Sequence, residues 1–292
     1  MRRTLAFLAA ILLTTVTVSS ACLAIPLDGI RFTLEPGRGA DQVQLSLHSD
    51  RDAHRNNLSS SFRAAELSGF TMASLRGNGP IAFALIREAG RVDCAGTARG
   101  TRAEGSCRFA PNASFSALLA SRGMARPTEE EAFGLTMVNA KRELLDTLAA
   151  AKYPMPSVND YMGMTAVGVT SGYIADMARA GYRPVDSKHF IEFKAVGVTP
   201  QYVGALARAG YANLPAENVL ALAALNIDPE FIRGFERIGY RNLPVETLVQ
   251  LKALDVTPEY VQAVQRSSLS AQSIDKLVQL KATGFEPSAR RR

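Results

Sequence analysis

The C-terminal half of the chain repeats a pattern every 29 residues. The residues that precede its apolar runs are polar and share this spacing: Thr170, Thr199, Asp228 and Thr257. A glycine followed by a tyrosine keeps the same interval, at Gly181, Gly210 and Gly239. Residues 141–169 form a weaker first copy, and the fifth copy ends near residue 285. A fixed spacing without insertions predicts a repeat architecture over residues 141–285.

Each copy carries the start and stop signals of two short helices. In the third copy, Thr199 is an N-cap with Pro200 at the first helical position, and Gly210 suits a left-handed helix end. The second helix begins near Pro215, and its apolar positions are expected to be buried: Val219, Leu222, Leu225 and Ile227. Helices of about ten residues are unstable alone in water, so the copies must stack. The pattern therefore predicts a curved solenoid of five helical hairpins.

The N-terminal half shows the pattern of a β-sheet. Val43, Leu45 and Leu47 alternate with polar residues, which is the period of a half-buried strand. Glycine and asparagine clusters separate the apolar runs, so we expect an antiparallel β domain over residues 22–111. The predicted fold class is α+β, with this small antiparallel β domain followed by the α-helical hairpin-repeat solenoid.

Residues 112–140 are predicted to be connecting helices. Asn112 is a suitable N-cap for the first of them. Thr128 and Glu131 form a capping-box pattern that opens the second. After the repeats, residues 286–292 form a basic tail.

Two cysteines predict a disulfide inside the β domain. In a hairpin whose two-residue loop is Gly100 and Thr101, Cys94 faces Cys107 at a non-hydrogen-bonded pair, where the strands lie closest. A cross-strand disulfide is sterically feasible there, and the alternative is two unrelated buried thiols. Because the bridge closes a small loop, its stabilisation should be at the modest end of about 2–4 kcal/mol.

The N-terminus has the pattern of an export signal. Arg2 and Arg3 precede an apolar stretch at residues 5–18, and small residues at 19–21 form a cleavage site. The stretch is shorter than the roughly 20 apolar residues that a membrane span requires, so residues 1–21 are expected to be a cleaved signal peptide. The protein is therefore expected to be periplasmic or secreted.

Cys22 follows the cleavage site and also resembles the lipidated cysteine of a bacterial lipoprotein. Ser19 departs from that motif, which prefers a larger aliphatic residue. Association with a membrane is expected only if Cys22 is lipidated.

The overall charge of +6 comes mainly from the two ends of the chain. The β half and the repeats each carry nearly equal numbers of basic and acidic residues, whereas Arg2, Arg3 and the arginines at 290–292 supply the excess. Nucleic-acid binding needs a continuous basic face that neutralises several phosphates. Nucleic acid is therefore not an expected partner.

The repeats, with their Gly-Val-Thr-Pro-x-Tyr cadence at residues 197–202, resemble a known tandem module. The module occurs in bacterial exported proteins of unassigned function and in the extracytoplasmic part of sensor metallopeptidases of the beta-lactamase-regulator type. Those peptidases carry a zinc-binding His-Glu-x-x-His helix. The three histidines of this chain do not form that motif, so the resemblance, which covers about half the chain, does not imply peptidase activity.

Two sets of repeat residues are candidate binding residues. The first set is a row of arginines at one repeat position: Arg179, Arg208, Arg237 and Arg266. With stacked helices about 8–10 Å apart, they would form an anion-binding row about 30 Å long. The alternative is a structural role at helix ends, paired with second-helix carboxylates: Glu217, Glu246 and Asp275. The second set is Tyr182, Tyr211 and Tyr240, which either line a recognition surface or pack back on their own hairpins.

One stretch contains metal-ligand chemistry: His48, Asp50, Asp52 and His54. If this stretch is extended, alternate side chains share one face and could ligate zinc or a harder ion. The alternative is a solvated polar loop. No cofactor is predicted.

The sequence favours a non-catalytic, exported protein-interaction or scaffold protein that uses its repeat surface, because no recognisable nucleophile motif or phosphate loop is found. Two alternatives remain open. One is a secreted metal-dependent hydrolase with a site around residues 48–54. The other is an accessory sensor of the envelope.

Overall fold

The computed structural model describes residues 27–49, 56–267 and 273–287. It contains an antiparallel sheet followed by helices, so the predicted order of sheet and helices is confirmed. The predicted signal peptide, Cys22, and three residues of the metal-ligand stretch, Asp50, Asp52 and His54, lie outside the described residues.

Seven antiparallel strands form one sheet. The strands are β1 (Leu27–Pro36), β2 (Gln42–Ser49), β3 (Asn56–Arg63), β4 (Leu67–Ser68), β5 (Gly79–Ile86), β6 (Gly90–Arg99) and β7 (Arg102–Pro111). Their order across the sheet is β3-β2-β1-β7-β6-β5-β4. A short helix, α1 (Met72–Leu75), lies between β4 and β5. Val43, Leu45 and Leu47 of β2 are buried, as the alternation predicts.

The predicted disulfide hairpin is confirmed. Strands β6 and β7 pair with Cys94 opposite Cys107, and the two cysteines are disulfide-bonded with their Cα atoms 4.0 Å apart. Gly96 lies opposite Gly105 in the same hairpin. A Cβ atom on Gly96 would lie 2.1 Å from the carbonyl oxygen of Glu104, so only glycine allows the strands to approach this closely.

Twelve helices follow in the described residues, in pairs that we call the first and second helices of a hairpin. They are α2 (Ala113–Ser121) with α3 (Glu129–Met137), α4 (Arg142–Ala150) with α5 (Val158–Ala166), α6 (Ser171–Arg179) with α7 (His189–Ala195), α8 (Pro200–Arg208) with α9 (Ala216–Ala224), α10 (Pro229–Arg237) with α11 (Val245–Ala253), and α12 (Pro258–Arg266) with α13 (Ile274–Ala282). Four first helices have the predicted N-caps, whose side chains accept a backbone hydrogen bond: Thr170, Thr199, Asp228 and Thr257.

The 29-residue spacing extends one hairpin further toward the N-terminus than the sequence pattern indicates. First helices begin at residues 113, 142, 171, 200, 229 and 258, so α2 keeps the interval. Helix α3 begins 29 residues before α5 in the same way. Asn112 caps α2, and Thr128 with Glu131 forms the predicted capping box of α3. The helices at residues 112–140 thus keep the 29-residue spacing of the repeats.

The apolar cores of neighbouring hairpins are connected. Ala132 and Met137 of α3 pack into the core of the sheet, which joins the sheet to the helices. Tyr202 and Leu214 contact two successive helical clusters, and Phe231 and Leu243 contact the next two. Each second helix from α3 to α11 also contacts the second helix of the following hairpin.

The hairpin of α6 and α7 departs from the pattern where its second helix begins. The spacing of the other second helices places this start at residue 187, but α7 begins at His189. Val185 is 92% exposed, although the equivalent Leu214 and Leu243 are partly buried. Ser187 is fully buried and its hydroxyl has no hydrogen-bond partner. At the start of α7, the aliphatic side chain of Val185 therefore faces solvent and the hydroxyl of Ser187 faces the core.

Candidate binding edge

The four candidate arginines end four successive first helices. Arg179, Arg208, Arg237 and Arg266 are the last residues of α6, α8, α10 and α12, and all four are exposed. A cation is favourable at this end of a helix because the backbone carbonyls give it partial negative charge. We call the edge where first helices end and second helices begin the arginine edge.

Two of these arginines pair within their own helices. Arg179 pairs with Asp176, three residues earlier on α6. Arg237 lies 2.8 Å from a carboxylate oxygen of Glu230 on α10. These partners are first-helix carboxylates and differ from the second-helix carboxylates that the sequence suggested. In the part of the chain that the structure describes, Arg208 and Arg266 form no ion pair.

The candidate tyrosines differ in exposure and contacts. Tyr182 is buried and its ring packs on Phe193, with ring centroids 5.3 Å apart. Tyr211 is half-buried, and its hydroxyl donates to the carbonyl oxygen of Leu243 at 2.7 Å, in the next hairpin. Tyr240 is also half-buried, and its hydroxyl lies 3.5 Å from the side-chain amide of Gln265. The hydroxyl of Tyr211 therefore links two successive hairpins.

Burial raises the pKa of the first two phenols. The pKa of Tyr182 is raised to about 12, mainly because burial disfavours the phenolate and further because Glu217 lies nearby. Burial also raises the pKa of Tyr211, with a smaller effect from Glu236. Both phenols are therefore protonated and neutral at physiological pH.

A small apolar cavity lies between Tyr182 and Tyr211. Its volume is about 120 Å³, and it is also lined by Leu206, Ala207 and Val219. Ala207 directly precedes Arg208, so an exposed guanidinium lies next to the cavity in the chain. The structure thus brings two candidate tyrosines together at one cavity, and the candidate Arg208 directly follows one of the residues that line it.

Only one residue of the metal-ligand stretch is described. His48 lies in β2, opposite Arg31 of β1, and is partly exposed. No group of three metal-ligating side chains occurs within residues 27–49, 56–267 and 273–287. The set formed with Asp50, Asp52 and His54 stays a prediction.

A second, larger depression lies on the polar face of the sheet. Its volume is about 840 Å³, and small side chains such as Ala82, Ala95 and Ser106 line it. Its charged residues include Arg91, whose Nε lies 2.8 Å from both carboxylate oxygens of Asp93. These two charges neutralise each other within the depression.

Sequence reasoning missed two repeated features. Tyr173, Tyr202 and Tyr260 each donate a hydrogen bond to the carbonyl oxygen 25 residues later, at 2.8–3.0 Å. The tyrosine of the Thr-Pro-x-Tyr pattern was visible in the sequence. The carbonyl group that accepts its hydrogen bond could not be predicted, because it depends on how the two helices of the hairpin pack. This bond fixes the start of a first helix to the end of its second helix.

The second feature is a row of exposed aliphatic residues on the opposite edge. Val167, Val196 and Leu254 occupy the C-cap position of their second helices and are 36–40% exposed. Leu225 occupies the same position and is partly buried, where the sequence pattern predicted full burial. This position is therefore an exposed aliphatic residue in three of the hairpins.

No family model, curated protein or solved structure matches this chain. The resemblance of its repeats to the bacterial module therefore stays a prediction. None of the described helices has the length and apolar content needed to cross a lipid bilayer.

Proposed function

We propose that this chain is an exported, non-catalytic protein-binding protein whose helical hairpins stack into a solenoid. The observation that carries the proposal is the apolar cavity between Tyr182 and Tyr211, one of whose lining residues, Ala207, directly precedes the exposed Arg208. Pockets for small molecules usually measure about 300–1,000 Å³. A cavity of about 120 Å³ is too small for that role and suits one side chain of a protein partner.

Three contacts support the stacking of the hairpins. The apolar clusters share Tyr202, Leu214, Phe231 and Leu243, so no hairpin buries its core alone. The second helices contact one another in sequence from α3 to α13. The hydroxyl of Tyr211 adds a hydrogen bond between hairpins. A repeat protein of this kind has an extended surface that is suited to binding.

The chemistry of the arginine edge favours binding over catalysis. The raised pKa values of Tyr182 and Tyr211 oppose formation of a phenolate nucleophile at neutral pH. Arg208 presents a planar, permanently charged group that matches a carboxylate on a partner. The Cys94–Cys107 disulfide is compatible with export, because such bonds persist in oxidising compartments.

A photo-crosslinking experiment tests the proposed binding edge. A photoreactive residue replaces Ala212, which is exposed and lines the cavity, and the matched control position is the exposed Ala117 on α2. Irradiation of the native envelope is expected to give a protein adduct at position 212 and none at 117. Arg208→Glu should reduce the yield at least about fivefold, a loss of about 1 kcal/mol, whereas Arg208→Lys should reduce it less.

Adducts of equal yield at both positions, or a yield unaffected by Arg208→Glu, would contradict the proposal. Stoichiometric metal in the purified protein, lost in a His48→Ala, His54→Ala variant, would instead favour the metal-dependent hydrolase.

Intact-mass measurement tests export separately: the protein from cells is expected to lack residues 1–21, and added lipid mass at Cys22 would identify an anchor. A mass that retains residues 1–21 would contradict the cleaved signal.

A further inference from the structure

The most exposed large apolar side chain in the described residues is close to the Tyr182 cavity in sequence. Val185 is 92% exposed, and the other exposed aliphatic residues range from 36% to 53%. It follows Tyr182, which lines the cavity, by three residues on the same arginine edge. Nothing in the repeat pattern requires this exposure, because the equivalent Leu214 and Leu243 pack against the core.

The size of the cavity matches the exposed side chain. A volume of about 120 Å³ is that of about four water molecules, at about 30 Å³ each. The three side-chain carbons of valine occupy about the volume of three waters and fit within it. Leu206, Ala207 and Val219 give the cavity an aliphatic wall that matches valine in polarity, and Asn213 is the one polar amide in its lining.

The charges around the exposed valine and around the cavity are complementary. Asp186 and Lys188 flank Val185, pair with each other at 3.4 Å, and are both exposed enough to meet a partner. On the cavity side, Arg208 directly follows the lining residue Ala207 in the chain, and the charge of Glu217 acts on the lining residue Tyr182. A second copy of the chain therefore offers Arg208 to Asp186 and Glu217 to Lys188.

We propose that the protein forms a symmetric homodimer in which Val185 of each chain inserts into the Tyr182–Tyr211 cavity of the other. In a two-fold dimer each contact occurs twice, so one chain needs both the projecting side chain and the cavity, as this chain has. The inference rests on the proposed function, since it names a second copy of the chain as the partner at the binding edge. It also gives the irregular entry to α7 a role.

Sedimentation of the purified full-length mature protein, at about 1–100 μM, tests the dimer. The wild type is expected to dimerise, and Val185→Asp should weaken association at least tenfold, because a buried valine becomes a buried charge. Ala207→Leu should weaken it similarly by filling the cavity. Val196→Asp is the matched control on the opposite edge and should leave the dimer intact. Circular dichroism confirms that each variant is folded; Val185→Asp changes only a side chain that is exposed in the monomer.

A charge exchange tests the orientation of the two chains. The exchange uses Lys188 and Glu217. Asp186 is left unchanged, because its carboxylate also accepts a hydrogen bond from the backbone amide of Lys188, at 2.9 Å. Lys188→Glu and Glu217→Lys should each weaken the dimer, and the double variant should restore it. A purely structural role for either residue would not give this rescue.

A monomeric wild type at 100 μM, or a dimer unaffected by Val185→Asp, would overturn the inference, and failure of the double variant would overturn the proposed pairing. These outcomes are separable from the proposed function. A monomer that still gives an adduct with a different protein at position 212 overturns the dimer and supports protein binding. The absence of any adduct at position 212 would contradict both the dimer and protein binding at this edge.

Discussion

Replacing Leu222 with alanine tests whether the helical hairpins share one continuous core. Leu222 lies on α9 in the middle of the helical region and has no exposed surface. The change removes three buried carbon atoms, worth about 0.8 kcal/mol each, or about 2.4 kcal/mol of transfer free energy. The cavity left behind adds to this loss, so the total should be about 3–4 kcal/mol.

Leu280 on α13 provides the internal comparison. It occupies the same repeat position, 58 residues later, but it is only partly buried because the described chain has no further hairpin beyond it. Leu280→Ala should therefore cost about half as much as Leu222→Ala. Arg208→Ala serves as a surface control and should cost less than about 1 kcal/mol.

Urea denaturation followed by far-UV circular dichroism measures these losses, since the chain has no tryptophan to report by fluorescence. Hydrogen exchange measures their spread, and the Leu222 variant should lose amide protection in α7 and α11 as well as in α9. Equal, small losses at Leu222 and Leu280 would refute the repeat register and the stacking derived from it. A loss at Arg208 as large as that at Leu222 would show that the arginine is part of the packed structure.

Three further changes test separate features. Ser187→Ala should leave stability unchanged or raise it by about 1 kcal/mol in urea denaturation, because it removes a buried hydroxyl without a partner; a clear loss would contradict that reading. Burial raises the pKa of Tyr202 to about 12 in the folded chain, whereas an unfolded tyrosine has a pKa of about 10. The stability that the neutral phenol of Tyr202 contributes is therefore complete below pH 10 and is lost between pH 10 and 12. Tyr202→Phe should reduce the fall in thermal midpoint over that window, and an identical pH profile would argue against it. Replacing Cys94 and Cys107 with serine should cost up to about 3 kcal/mol, since the bridge closes a short loop, and an unchanged urea midpoint would contradict this.

The sequence predicted the features that depend on local backbone chemistry. The N-cap at Thr199 and the left-handed glycine at Gly210 were visible because each rule involves only neighbouring residues. The pairing of Cys94 with Cys107 followed from the two-residue loop, since turn length fixes hairpin register.

The features that were missed lack a local sequence signal. The hairpin of α2 and α3 keeps the 29-residue spacing, but α2 has Gly123 at its end followed by Met124, so the Gly-Tyr pattern is absent. The cavity between Tyr182 and Tyr211 requires knowing how two hairpins lie against each other. Repeat alignment places Val185 with Leu214, and only the structure shows that Val185 faces solvent instead.

A regular repeat gives every hairpin the same surface, so a specific site must arise where one hairpin differs from the others. The entry to α7 is such a place, because Asp186 stands where the third and fourth repeats have Pro215 and Pro244. Its exposed Val185 and its buried, unpartnered Ser187 both oppose stability. Local rules are most often broken at functional sites. Contact of Val185 with a partner would remove the cost of its exposure on binding. The stability gained in the Ser187→Ala variant measures the cost of the buried hydroxyl, which remains in the isolated chain.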